Sequence, residues 1–428
     1  MSSSTPSPAV AHQHQHEHEH EHKHEHELLS LCQKLIRTPS ENPPGSTRAM
    51  AEVVVQSLTH PAINIKLYEP APGIVNLVAV LRGHQAGPRV VLNGHLDTFP
   101  VGPSTGWLHD PHSGHLEGGR IYGRGAGDMK AGVAVLIHVM LALADRQAEL
   151  QGELVLTLMG DEETGGRWGT RWLLDNIPEA RGDFLLNTDA GHPRVVRHGE
   201  KGVVWLKLLS TGKACHGAHV HLGDNAIESM MNALQDLLAL RQRTVKLPPD
   251  LLVSMTQAKA ISEIEGGAGE FENLCSITVN VGALHSGSVP NLVPGCAEAF
   301  VDIRYPPGLD GVGMRALIAK SLASHSKVSW EVVPDSETEP AFTAPGHRLV
   351  QTFLRHARRL VEPDVVANMR VGLTDARLFR HAGMPAVVYG PTAFNMGGIN
   401  EYVLIAHVVQ VFEVNLAVAS ELLGLCSS

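Results

Sequence analysis

Two rhythms of apolar and polar positions run along this chain, and each predicts its own kind of element. Leu28, Leu31, Leu35 and Ile36 recur at helical spacing and stop at Thr38-Pro39. A loop at Asn42-Pro43-Pro44-Gly45 leads into a second helix over residues 48–58. Residues 74–81 and 89–93 are apolar runs joined by a glycine-containing turn, as in strands buried on both faces. Residues 128–145 are nearly all apolar and read as a long helix with Asp128 at its positive end. A strand over 153–159 and a helix carrying Trp168 and Trp172 come next. Strands followed by helices predict an α/β fold, a mostly parallel sheet covered by helices.

Near residue 200 the pattern changes. Strands at 203–210, 274–284, 296–304 and 328–333 are interleaved with helices at 225–243 and 311–324. Two strand–helix–strand units of this kind predict a small α+β layer inserted into the main domain. The α/β pattern resumes near residue 340, with a helix at 374–382, a strand at 386–389 and a last helix from His407. The expected organisation is a tail at 1–27, a main domain in two parts (28–199 and 336–428), and the inserted layer at 200–335.

Composition narrows the classes. A chain of 428 residues, 43% hydrophobic, is long enough for two or three domains and too apolar to be disordered. A formal charge of −10 argues against nucleic acid as a partner, since phosphate contacts need a basic face. Cys32, Cys215, Cys275, Cys296 and Cys426 show no CxxC spacing and read as free thiols of a reducing compartment. With no leader-like apolar region and no long apolar span, the sequence points to the cytoplasm and away from a membrane. In the tail, histidines alternate with Gln, Glu or Lys from His12 to His26. Such low-complexity sequence predicts disorder, and it serves either as a metal-gathering tail or simply as a solvated one.

The chemistry lies at the ends of the apolar runs. His95 and Asp97 stand two apart past the 89–93 strand, Asp128 closes a glycine-rich stretch, Glu162 and Glu163 follow the 153–159 strand, and Asp189 ends another apolar run. Carboxylates in such positions are costly to desolvate unless a cation or hydrogen bonds compensate them. The set as a whole therefore predicts a metal-centred hydrolytic site. Asp97 is better placed to orient His95 than to bind metal. The adjacent pair Glu162-Glu163 should divide its work, one carboxylate on metal and one taking a proton from water. The glycine-rich stretch lacks the Gly-Lys-Ser/Thr ending of a phosphate loop.

These motifs resemble the M20 metallopeptidase and deacylase family over essentially all of residues 28–428. Carrying the resemblance are Gly94-His95-Leu96-Asp97, residues 123–130 with Gly132, Asp161-Glu162-Glu163-Thr164-Gly165, and Val289-Pro290-Asn291. Asp302-Ile303-Arg304, Thr374-Asp375-Ala376 and Asn400-Glu401-Tyr402-Val403 complete it. The resemblance implies metal ligation by His95, Asp128, Glu163 and Asp189, with Asp128 as the bridge of a two-metal site. It makes Glu162 the general base and Asp97 the orienting residue. It further implies that the inserted layer is a lid and dimerisation domain whose His216 reaches the partner subunit's site. Asn291, Arg304 and Thr374 would then serve substrate, Arg304 through a bidentate fork.

One position departs from the family pattern: Gly397 stands where a metal-binding histidine is usual, three residues before Asn400-Glu401. Neither Asn395 nor His407 has the spacing to replace it. The expected cofactor is therefore a divalent cation (Zn, Mn or Co), with about one tightly bound ion per chain. The expected activity is hydrolysis of a C–N bond in an N-acyl amino acid or small peptide-like acid by a homodimer or larger assembly. A second reading is hydrolytic deamination of an aromatic amine, as in the mononuclear 5-nitroanthranilate aminohydrolase branch, with Phe394 and Met396 either lining an aromatic pocket or merely packing. A third is a non-catalytic metal-binding protein, against which the presence of both Glu162 and Asp97 weighs.

Overall fold

The computed structural model describes residues 24–102 and 105–425. Most of the histidine-rich tail lies outside the described residues, but its last four residues already belong to a helix, α1, seen over residues 24–36. The chain divides into two compact units, Met1–Val196 with Thr352–Val365 and Val387–Ser428, and Arg197–Gln351 with Val366–Ala386.

The first unit is built on a mixed sheet. After α2 (Arg48–Ser57) come β1 (Ile63–Ala71), β2 (Ile74–Arg82) and β3 (Gln85–His95). The short strands β4 (His115–Glu117) and β5 (Arg120–Tyr122) precede α3 (Ala131–Ala144), β6 (Gln151–Met159), α4 (Trp172–Asn176) and β7 (Phe184–Asn187). The order is β1-β2-β6-β3-β7. β3 runs parallel to both β6 and β7, whereas β2 is antiparallel to β6 and to β1. The α/β expectation thus holds at the centre of the sheet, and an antiparallel edge is added to it. β1 escaped the sequence reading because it is a half-exposed edge strand, while β2 is buried at every position but its last. Each buried Val or Leu contributes about 1.5–3 kcal/mol relative to exposure, which is why the continuous runs were legible.

The expected helix at 128–145 begins later than its apolar run. Asp128 (φ −127°, ψ 91°) and Met129 (φ −132°, ψ 38°) are non-helical, the peptide between them is cis, and α3 starts at Ala131. Asp128 is therefore a loop residue at the mouth of the sheet.

In the second unit, β8 (Val195–Glu200) is followed by β9 (Gly202–Thr211), β10 (Cys215–His216), α5 (Ala226–Leu238), α6 (Pro249–Gly266) and α7 (Glu270–Cys275). Then come β11 (Thr278–Ser286), β12 (Leu292–Val293), β13 (Cys296–Tyr305), α8 (Gly311–Leu322), β14 (Val328–Val332) and β15 (Ala341–Phe342). An antiparallel sheet, β11-β13-β9-β14, packs one face on α5 and α8 through Val204, Leu206, Val301, Ile303, Met230, Leu237 and Ile318. Asn225 and Asp310 cap the two helices by accepting from the Ile227 and Gly313 amides. The sequence reading passed over α6 and α7. Buried Leu251, Met255, Ala258 and Ser262 do recur at helical spacing, but two of the four are small or polar.

The chain continues through α9 (Arg348–Leu360), β16 (Val366–Arg370) and α10 (Ala376–His381). β17 (Ala386–Val388) then joins the first unit's sheet beside β7, and β18 (Tyr402–Leu404) pairs with β5. The last helix, α11 (Ile405–Leu422), packs on α3. By length and composition, the helical runs Ala126–Ala144 and Ile405–Leu422 would suffice to cross a membrane. The first is nonetheless a core helix, with most of α3 buried among the sheet's side chains.

Candidate metal centre

In the first unit the C-terminal ends of the parallel strands bring the predicted acids together. β3 ends on His95, and its neighbour β7 ends two residues before Asp189. Asp128 arrives from the loop before α3. One ring nitrogen or carboxylate oxygen from each of His95, Asp128 and Asp189 lies within 4.8 Å of the others. His95 Nε2 is 2.9 Å from Asp128 Oδ1 and 4.0 Å from Asp189 Oδ2.

Buried groups hold each member in place. His95 Nδ1 donates to the Asp97 carbonyl at 2.9 Å, with the Asp97 carboxylate at 3.5 Å, which leaves Nε2 facing the acids. The carboxylate of Asp97 does a second job that its sequence position did not reveal. Its two oxygens accept from the backbone amides of Glu162 (3.2 Å) and Glu163 (3.1 Å), fixing the turn that carries both. Asp189 is set by Asn187, whose Oδ1 accepts the Asp189 amide at 2.9 Å and whose Nδ2 donates to Asn93 at 2.6 Å.

Asp128 is braced by a pair that the sequence reading matched only as motif letters. Glu401 Oε1 accepts the amides of Gly127 (3.0 Å) and Asp128 (3.3 Å), while its Oε2 takes Arg124 Nη1 at 2.7 Å. Both side chains are buried, and burial holds the Glu401 carboxyl above its ordinary value even though Arg124 pulls it down. Arg124 Nη2 also donates to the Gly397 carbonyl at 3.1 Å. Gly127 must be glycine, because a Cβ there would sit 2.3 Å from that of Ala393.

The electrostatics test whether a cation suits this place. Burial would lower the His95 pKa, but hydrogen bonds to Asp128 and Asp97 carry it well above the usual histidine value. For Glu163, burial and then the Asp128 charge push the carboxyl up to about 10. Its Oε1 is buried without a hydrogen-bond partner among the described residues. A buried carboxylate oxygen with no donor, beside other acids, is compensated by a positive ion. One imidazole and several carboxylates fit Zn, Mn or Co, with His95, Asp128 and Asp189 as the assembled donors and Glu163 as the adjoining one.

The remaining predicted residues lie in the second unit. His216 on β10 is exposed, and Asn291 adjoins it, since Gly217 N donates to Asn291 O at 2.7 Å and β10 pairs with β12. His216 Nδ1 accepts the Ala218 amide at 3.1 Å, so the neutral ring carries its proton on Nε2. Arg304 already directs Nε and Nη2 at Asp302 and Nη1 at the Val371 carbonyl. Thr374 is buried, its amide and hydroxyl both spent on Glu200. Of the substitutes for a missing ligand, Asn395 bonds to the Asn400 carbonyl, and burial lowers His407 to about 4 among His192 and Phe394. Phe394 stacks on Tyr402 at 4.7 Å and so packs, whereas Met396 is exposed.

Comparisons with known proteins establish the family. The model of peptidase family M20/M25/M40 matches residues 91–421, and the chain belongs to that family. A succinyl-diaminopimelate desuccinylase of Methylobacterium radiotolerans is 28% identical over 394 residues, covering 88% of this chain and 92% of the relative. Among solved structures, an M20 family metallo-carboxypeptidase from Sulfolobus solfataricus superposes with a TM-score of 0.75 at 20% identity, covering 92% of this chain and 98% of that one. Aminopeptidase PepT from Bacillus cereus gives 0.71 at 18% identity, covering 93% and 98%. The likeness to both is one of fold. The chain is thus a metal-dependent hydrolase of C–N amide bonds, and the aromatic deaminase reading gains nothing from these relatives.

Proposed function

We propose that this member of the M20/M25/M40 family cleaves the amide of an N-acyl amino acid or small peptide-like acid, using one tightly held divalent cation at its catalytic centre. The observation that carries the reading is the convergence of His95, Asp128 and Asp189 beside a Glu162-Glu163 turn anchored on Asp97. The substrate class draws support from the desuccinylase relatives, whose name describes removal of an acyl group from a diamino acid.

Bound at His95, Asp128 and Asp189, the cation supplies Lewis acidity toward a carbonyl oxygen and a water. The chain's own groups do the rest. Glu162 takes the proton of the attacking water and returns it to the departing amine. Asp97 keeps Glu162 in reach by holding its amide. His216, carrying its proton on Nε2, donates to the carbonyl oxygen as charge develops there, with Asn291 beside it. Arg304, held on Asp302 and the Val371 carbonyl, suits positioning of that loop better than a free clamp on substrate, and Thr374 is likewise committed to Glu200.

A single tight ion follows from Gly397. The residue has no side-chain donor, its φ is +71°, and its carbonyl is occupied by Arg124. A homodimer through the second unit and a cytoplasmic location complete the proposal. The test is a panel of N-succinyl and other N-acyl amino acids, dipeptides and aminobenzoates, run with Zn, Mn or Co and again with chelator. Metal-dependent amine release from N-acyl amino acids is expected. Ammonia from aminobenzoates alone would transfer the assignment to a deaminase.

A further inference from the structure

A second group of metal-type donors lies on the surface of the first unit, apart from the catalytic set. His109, in the loop before β4, and His115 and Glu117 at the two ends of β4 each present a ring nitrogen or carboxylate oxygen within 4.8 Å of the others. His115 and Glu117 stand two apart on one strand and therefore share a face. β4 is an edge strand of the sheet β18-β5-β4, and both side chains are exposed.

The geometry favours an ion over a simple surface pair. His109 Nε2 lies 3.3 Å from Glu117 Oε2. That is about the edge of a tetrahedron with metal–ligand bonds of roughly 2.0–2.1 Å. The His115 ring is exposed and stacked on His109 at 3.9 Å between centroids, so it can turn without displacing a buried neighbour. Tyr122 backs the His109 ring at 5.0 Å and limits its freedom. Arg120, directly across from Glu117 in the β4–β5 register, is held instead over the Tyr402 ring at 4.7 Å. Among the described residues Glu117 thus has only His109 as an ionic partner.

We infer that His109, His115 and Glu117 form a second site for a divalent transition-metal ion of the zinc type, with a fourth position open to water. Such an ion ties the loop at His109 to the β4 edge. The same loop carries Leu108, whose amide donates to Asn400 Oδ1 at 2.6 Å, next to the Glu401 that braces Asp128. Its role is structural, since no group of the proposed catalytic machinery belongs to it.

Equilibrium dialysis of the full chain against ⁶⁵Zn²⁺ tests this by difference, because the histidine-rich tail contributes equally to every variant. The double variant His109→Ala with His115→Ala is expected to hold one zinc fewer per chain than the wild type, with unchanged activity at saturating metal. Glu117→Gln, a milder change at an exposed edge, is expected to weaken that zinc at least tenfold and guards against misfolding of the double variant. Anomalous diffraction at the zinc edge should place a peak among the three side chains. Equal zinc content in wild type and both variants, or an anomalous map with no peak there, overturns the site.

Discussion

At the scale of single residues, the roles proposed for Glu162 and Glu163 differ although the two are neighbours. Asp97 holds both amides, yet among the described residues Glu163, and not Glu162, has a buried oxygen lacking a hydrogen-bond donor. Glu162→Gln is therefore expected to lower kcat by at least about 10²–10⁴-fold while leaving metal content unchanged. Turnover close to normal would remove Glu162 from the reaction. Gly397 makes the complementary case. A side chain there takes a left-handed backbone, and its Cβ would lie 3.6 Å from the Phe99 ring. Gly397→His is thus expected to cost about 1–2 kcal/mol of stability without creating a tight second site. Elemental analysis checks this in tail-deleted protein that also carries His109→Ala and His115→Ala, and two tightly held ions per chain in that background with Gly397 intact would refute the proposal of one ion at the catalytic centre.

At the scale of elements, the site depends on how loops are tied to strand ends. Glu401 holds the Gly127–Asp128 turn by two amides and neutralises Arg124 in a buried pair. Removing one partner of such a pair typically costs about 3–5 kcal/mol, because the other charge is left without compensation. Glu401→Ala should therefore unfold at distinctly lower denaturant and also bind metal more weakly. If metal affinity stays intact in a destabilised but folded variant, Glu401 does not position Asp128. This dependence also explains what could be read from sequence. Glu162, Glu163 and Asp189 were legible because each lies just past an apolar run that must be a buried strand, where a charge needs a reason, and Asp128 was legible from the glycine-rich stretch it closes. Glu401 and Arg124 act through hydrogen bonds across long sequence separations, and Asn187 joins the nearby Asp189 amide to the distant Asn93 side chain; no local pattern encodes those links. The start of α3 was misplaced for a related reason. Ala126–Gly127–Asp128–Met129 is apolar enough to continue the helix, and only contacts from Glu401 and Ala393 reveal why it turns.

At the scale of the whole molecule, the proposed roles fall on residues of both units. The first carries the proposed metal donors and Glu162, and both nitrogens of His95 are engaged there, Nδ1 by the Asp97 carbonyl and Nε2 toward Asp128. We propose His216 in the second unit, which is exposed and when neutral carries its proton on Nε2, as a donor to the developing oxyanion. If His216 serves the site of a partner subunit, two inactive variants should complement each other. A hybrid of His216→Ala and Glu162→Gln subunits then contains one site with both residues intact and one with neither. For randomly exchanged dimers of twofold symmetry this restores roughly one quarter of wild-type activity. Each variant alone stays inactive, so the signal rises from background. If subunit exchange is verified by mass and no activity returns, His216 works within its own chain or not at all. A recovered fraction near one quarter would establish both the dimer and the path by which the second unit completes the site.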